Sequence, residues 1–104
     1  MADFVERAIR RMREDRAFSR NRHFLALSSP EGRRAVRIHR HLRSLESDLQ
    51  RGHPAQIERR ADRVCITIQY RRGARVAWLT SGEFRLLCTS PIVRAALGTS
   101  ADEG

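Results

Sequence analysis

The sequence predicts an α+β fold: two N-terminal helices, a three-stranded antiparallel β-meander and a short C-terminal helix. Three observations predict it. Apolar residues recur at helical spacing as far as Arg51, the period switches to two from Arg63, and Ser90-Pro91 opens a last helical run. With 104 residues the chain has the length of one small domain, expected over residues 1–98. Residues 99–104 read as a flexible tail.

The first helix is expected from Phe4 to Phe18, with Asp3 as N-cap and Glu6 completing a capping box. Phe4, Val5, Ala8, Ile9 and Met12 fall on one stripe, which marks a core-facing side. Ser19 to Leu27 reads as a linker without periodicity in its first half. There Arg20 and Arg22 flank Asn21, beside His23 and Phe24, a group suited to gripping phosphate. Phe24 itself reads as a core side chain.

The second helix is the best punctuated. Ser29 is a good N-cap, Pro30 fits N1, and Gly52 followed by Pro54 ends the run. Ala35, Ile38, Leu42, Leu45 and Leu49 follow a 3-4-3-4 spacing, a seam that serves an intramolecular helix pair or a dimer alike. Arg33, Arg37 and Arg40 line the opposite face, with Arg34 and His41 beside them. Asp48 and Glu46, near the C-terminal end, oppose the helix dipole and have no evident stabilising role.

Residues 53–62 are ambiguous between a short edge strand and a helical turn. From Arg63, Val64, Ile66, Ile68 and Tyr70 alternate with Cys65, Thr67 and Gln69. Arg72-Gly73 and Ser81-Gly82 suit two-residue hairpin loops, which gives strands at 63–71, 74–80 and 83–89. In that register Tyr70 faces Arg75, and one sheet face collects Val64, Ile66, Ile68, Ala77, Leu79, Phe84, Leu86 and Cys88. The other face carries Val76, Trp78 and Arg85, with Trp78 opposite Arg85. It reads as covered by a helix or a second subunit, with base stacking on Trp78 as the alternative. Ile92 to Leu97 forms the closing helix, ended by Gly98.

The charge narrows the function classes. The net charge is +9, and all 21 basic residues are arginine, a choice that GC-rich codons explain. The excess is segregated: Arg7 to Arg43 holds twelve arginines and three acids, while the remainder balances nine against nine. Segregated positive charge is the footprint of a polyanion binder. The expected function is therefore a small nucleic-acid-binding or nucleic-acid-associated regulatory protein. Its contacts are expected from Arg7, Arg10, Arg11, Arg20, Arg22, Arg33, Arg34, Arg37 and Arg40.

Two alternatives stand beside it. One is a protein-interaction module, a homodimer or an adaptor for an acidic partner, using Leu42, Leu45, Leu49, Val76, Trp78 and Arg85. The other is a metal-independent ribonuclease of the toxin type, for which His39, His41, His53 and Tyr70 with arginine meet only a loose requirement. No catalytic residues are assigned. The sequence has no phosphate-cradling glycine loop, nucleophile elbow or zinc motif, and no cofactor or metal is expected. No apolar run reaches membrane-spanning length and no basic, then apolar, leader opens the chain, so a cytoplasmic protein without a membrane role is expected. Cys65 and Cys88, on opposite faces of the expected sheet, read as buried thiols.

Overall fold

Why α2 forms over Pro30–Gln50 is visible at its start, where the Ser29 hydroxyl accepts the Gly32 N–H at 3.0 Å and Pro30 occupies the first turn. At its end Gly52, in the left-handed region at φ 85°, carries the chain out. The computed structural model describes residues 4–15, 18, 20 and 29–98. The expected cap Asp3, the linker residues Arg22, His23 and Phe24, and the 99–104 tail lie outside them. The element order is α1 (Phe4–Glu14), α2 (Pro30–Gln50), β1 (Ala55–Arg60), β2 (Arg63–Gln69), β3 (Ala74–Thr80), α3 (Ser81–Leu87) and α4 (Pro91–Leu97). This is an α+β fold with a three-stranded antiparallel sheet of order β1-β2-β3. The chain divides into two compact units, Met1–Arg43 and Ser44–Gly104, and the boundary falls inside α2.

In the first unit α1 buries Val5, Ala8, Ile9 and Met12 of the stripe its spacing predicts, while Phe4, at the first turn, is exposed. The helix stops at Glu14 rather than Phe18. Asp15 breaks the run, and Phe18 and Arg20 are again helical: the Asp15 carboxylate accepts the Phe18 N–H at 3.2 Å, the geometry of an N-cap. The first half of α2 buries Ala35, Val36, Leu42 and also His39.

In the second unit the ambiguous segment is strand β1, and it enters the sheet through a two-residue turn, Ala61-Asp62. Ala61 sits at φ 51°, the left-handed conformation that tight hairpins impose. Asp62 anchors this turn, its carbonyl accepting both the N–H and the hydroxyl of Ser81 at 2.9 Å. Val64, Ile66 and Ile68 share a buried face with Ala77 and Leu79, as the alternation predicts.

Two expectations are corrected. The register of β2 on β3 pairs Ile66 with Ala77 and Ile68 with Arg75, two residues away from the expected one. The connection is longer than Arg72-Gly73 alone, because the Tyr70 N–H bonds the Gly73 carbonyl at 2.9 Å and closes a four-residue turn. A slip of two preserves which residues face the core, since side chains alternate with period two. The segment 83–89, expected as a strand, is instead largely helix α3. Thr80 caps it: the Glu83 N–H donates to the Thr80 hydroxyl at 3.1 Å and the Thr80 N–H to the Glu83 carboxylate at 2.9 Å. α4 then starts from Ser90, which accepts the Val93 N–H, and ends at Gly98 in the left-handed region. Among the described residues no helix is long and apolar enough to cross a membrane.

Candidate functional site

The basic ridge is built by the helical repeat of α2. At 3.6 residues per turn, Arg33, Arg37 and Arg40 fall within an arc of about 60° and span roughly 10 Å along the axis. Arg34 flanks them, and all four are exposed, opposite the buried Ala35 and Leu42. Arg43, which belongs to the basic window but not to the expected ridge, is exposed on the same helix. Among the described residues no ion pair engages Arg33, Arg34, Arg37, Arg40 or Arg43. Their charge is therefore not neutralised by a carboxylate among the described residues.

The other expected contacts differ in availability. Arg7 and Arg20 are exposed. Arg10 shares its charge with Glu6 at 3.3 Å across one helical turn. The Arg11 guanidinium lies over the Phe18 ring, 4.3 Å from its centroid. Arg22 lies outside the described residues.

Of the residues expected at a protein interface, Leu42, Leu45 and Leu49 are at most 2% exposed within the chain's own core. That burial matches the use of such a seam for packing within one chain. Val76 and Trp78 are open to solvent at 58% and 49%. No described helix of this chain covers them. Arg85 is exposed on α3, and the cross-strand partner of Trp78 is Cys65. Cys65 and Cys88 are buried free thiols.

A second polar group emerges where the sequence showed only scattered residues. The Tyr70 hydroxyl donates to Asp48 Oδ2 at 2.5 Å, and the same oxygen accepts from Arg75 at 2.9 Å. Arg75 also donates to the Ser44 hydroxyl at 2.9 Å, and the His53 ring meets Tyr70 edge-on with centroids 5.0 Å apart. The hydrogen bond from Tyr70, with help from Arg75 against the opposing effect of burial, holds the Asp48 carboxyl below its ordinary value of 3.8. The same bond raises the Tyr70 phenol above its ordinary 10.0. Asp48 thus gains the role its position against the helix dipole denied it: it ties α2 to the turn and strand beyond its C-terminal end. Of the residues weighed for catalysis, His53 and Tyr70 come together here, while His39 is buried in the first unit and His41 half-buried. The phenol proton and one Arg75 nitrogen are engaged by Asp48, so this group does the work of a tie rather than of an acid–base pair. Among the described residues no cluster of three His, Cys, Asp or Glu is placed to hold a metal ion.

No protein-family model, no curated protein and no solved structure matches this chain. Its function is therefore argued from the site alone.

Proposed function

We propose that the chain binds nucleic acid along the ridge of α2, with Arg33, Arg34, Arg37 and Arg40 on phosphates and Arg7, Arg10, Arg11 and Arg20 assisting. One observation carries the reading: exposed arginines at helical spacing on one face, none engaged by a carboxylate among the described residues. Phosphate recognition of this kind releases condensed counterions and is independent of base sequence. Arginine also offers the planar fork that grips two phosphate oxygens at once.

Fluorescence polarisation with labelled duplex DNA, single-stranded DNA and structured RNA, at several salt concentrations, tests it. On duplex DNA each neutralised phosphate contributes about −0.9 to the slope of log affinity against log salt. Changing Arg33, Arg37 and Arg40 together to Ala is expected to weaken binding and flatten that slope by roughly two to three units. An unchanged slope would remove the ridge from the interface. No binding of any of the three at low salt would remove nucleic acid altogether and leave an acidic protein as the partner.

A further inference from the structure

The face of the sheet turned away from its buried side lies within the second unit and takes no part in the ridge. Four rows cross it: Arg60–Arg63–Thr80, Glu58–Cys65–Trp78, Gln56–Thr67–Val76, and Gln69–Ala74. Trp78 and Val76 stand in the middle, open to solvent, beside the hydrogen-bonding groups of Thr67 and Gln69.

The charges at its ends are informative. Arg60 and Arg63 are a directly opposed cross-strand pair of like charge, which costs stability in a sheet. At the other end the hairpin tip carries Arg71 and Arg72, both exposed. Glu58 is the one carboxylate among these rows, and Arg60 holds it at 2.8 Å. Arg63 has no ion pair among the described residues.

We propose that this face is a second binding surface, for single-stranded nucleic acid, on which Trp78 stacks a base while Arg63 and the Arg71-Arg72 tip hold the backbone on either side. The proposal rests on the nucleic-acid reading above and adds to it the kind of strand bound. An aromatic ring between cations suits a ligand with both π-faces and a polyanionic backbone. A duplex keeps its base faces stacked inside, so only an unpaired strand can offer them. A second copy of this chain offers little to neutralise Arg63, Arg71 and Arg72, because the one carboxylate among the rows of this face, Glu58, is already held by Arg60.

Trp78 is the one tryptophan of the chain, so its emission reports on this face directly. The experiment titrates the full chain with a 12-nucleotide oligouridylate, the matching oligothymidylate and a blunt duplex. Single strands are expected to quench Trp78, while the duplex binds without quenching. Trp78→Ala is expected to weaken single-strand binding about tenfold and leave duplex binding unchanged. Trp78→Phe retains a π-face and is expected to restore most of the loss, which a merely structural role would not produce.

Three outcomes overturn the proposal. Single strands that bind without quenching, and equally to Trp78→Ala, would leave the ridge reading intact and remove this face. A mass that doubles with concentration, with Trp78 emission changing in step, would assign the face to a second copy. No binding of any oligonucleotide would end this proposal and the ridge reading together.

Discussion

Asp48 shows how one side chain can be misjudged by local rules. A carboxylate near the C-terminal end of a helix is unfavourable by the dipole alone, by a few tenths of a kcal/mol. Here it accepts from a phenol and a guanidinium, and with its side chain 13% exposed and that of Arg75 27% exposed, water screens the pair only partly. Hydrogen bonds to a charged group outweigh the dipole cost, so Asp48→Ala is expected to destabilise the chain by about 1–3 kcal/mol in urea unfolding. The two shifts set the pH dependence. Because the folded Asp48 carboxyl titrates below 3.8, its contribution is complete above that value and is lost as the pH falls through the folded one. Tyr70 behaves oppositely, its contribution complete below 10.0 and lost as the pH rises through its raised value. Unfolding midpoints measured across pH should show Asp48→Ala flattening the acid limb and Tyr70→Phe the alkaline one. A mutant curve parallel to the wild type at both ends would mean that the tie does not form in solution.

At the scale of elements, the end of β3 decides whether the chain continues as strand or helix. Phe84, Leu86 and Cys88 alternate as a strand would, yet Phe84, Leu87 and Cys88 also satisfy helical spacing, and all four are buried. The Thr80–Glu83 capping box resolves the ambiguity, because it fixes the first turn before any packing is counted. Thr80→Ala is expected to cost about 1 kcal/mol, with hydrogen exchange accelerating first in α3. Equal protection of α3 in the mutant would show that packing alone holds the helix. The box is legible in Thr80-Ser-Gly-Glu83, but Ser81-Gly82 masks it by fitting a hairpin loop equally well. β1 is half-legible for a different reason: an edge strand needs only one apolar row, and Ala55 and Ile57 supply too few residues to fix a period. The α2 ridge is fully legible, since exposed residues at 3.6 spacing need no tertiary knowledge. The Asp48–Tyr70–Arg75 tie is not, because it joins residues 22 and 27 positions apart through a register that turn length alone does not give.

At the scale of the whole molecule the question is what the excess charge costs. Twelve arginines face five carboxylates in Met1–Arg43, against nine and seven in Ser44–Gly104. Along α2, Arg33, Arg37 and Arg40 succeed one another at about 4.5–6 Å of helix rise, closer than the Debye length of about 10 Å at 0.1 M salt. Their repulsion is therefore felt under ordinary conditions, at about 0.2–0.5 kcal/mol for each neighbouring pair. Arg37 has Arg33 one turn before it and Arg34 and Arg40 three residues to either side. Glutamine is nearly as good a helix former as arginine, so Arg37→Gln isolates the charge. The variant is expected to be more stable than the wild type by about 0.5–1 kcal/mol at 20 mM salt, and the gain should vanish at 500 mM as screening removes the repulsion. Thermal unfolding at the two salt concentrations measures both effects. A variant less stable than the wild type would mean that Arg37 is held by the fold itself. The expected sign means that the ridge is maintained at the expense of stability, as a surface kept for a polyanion would be.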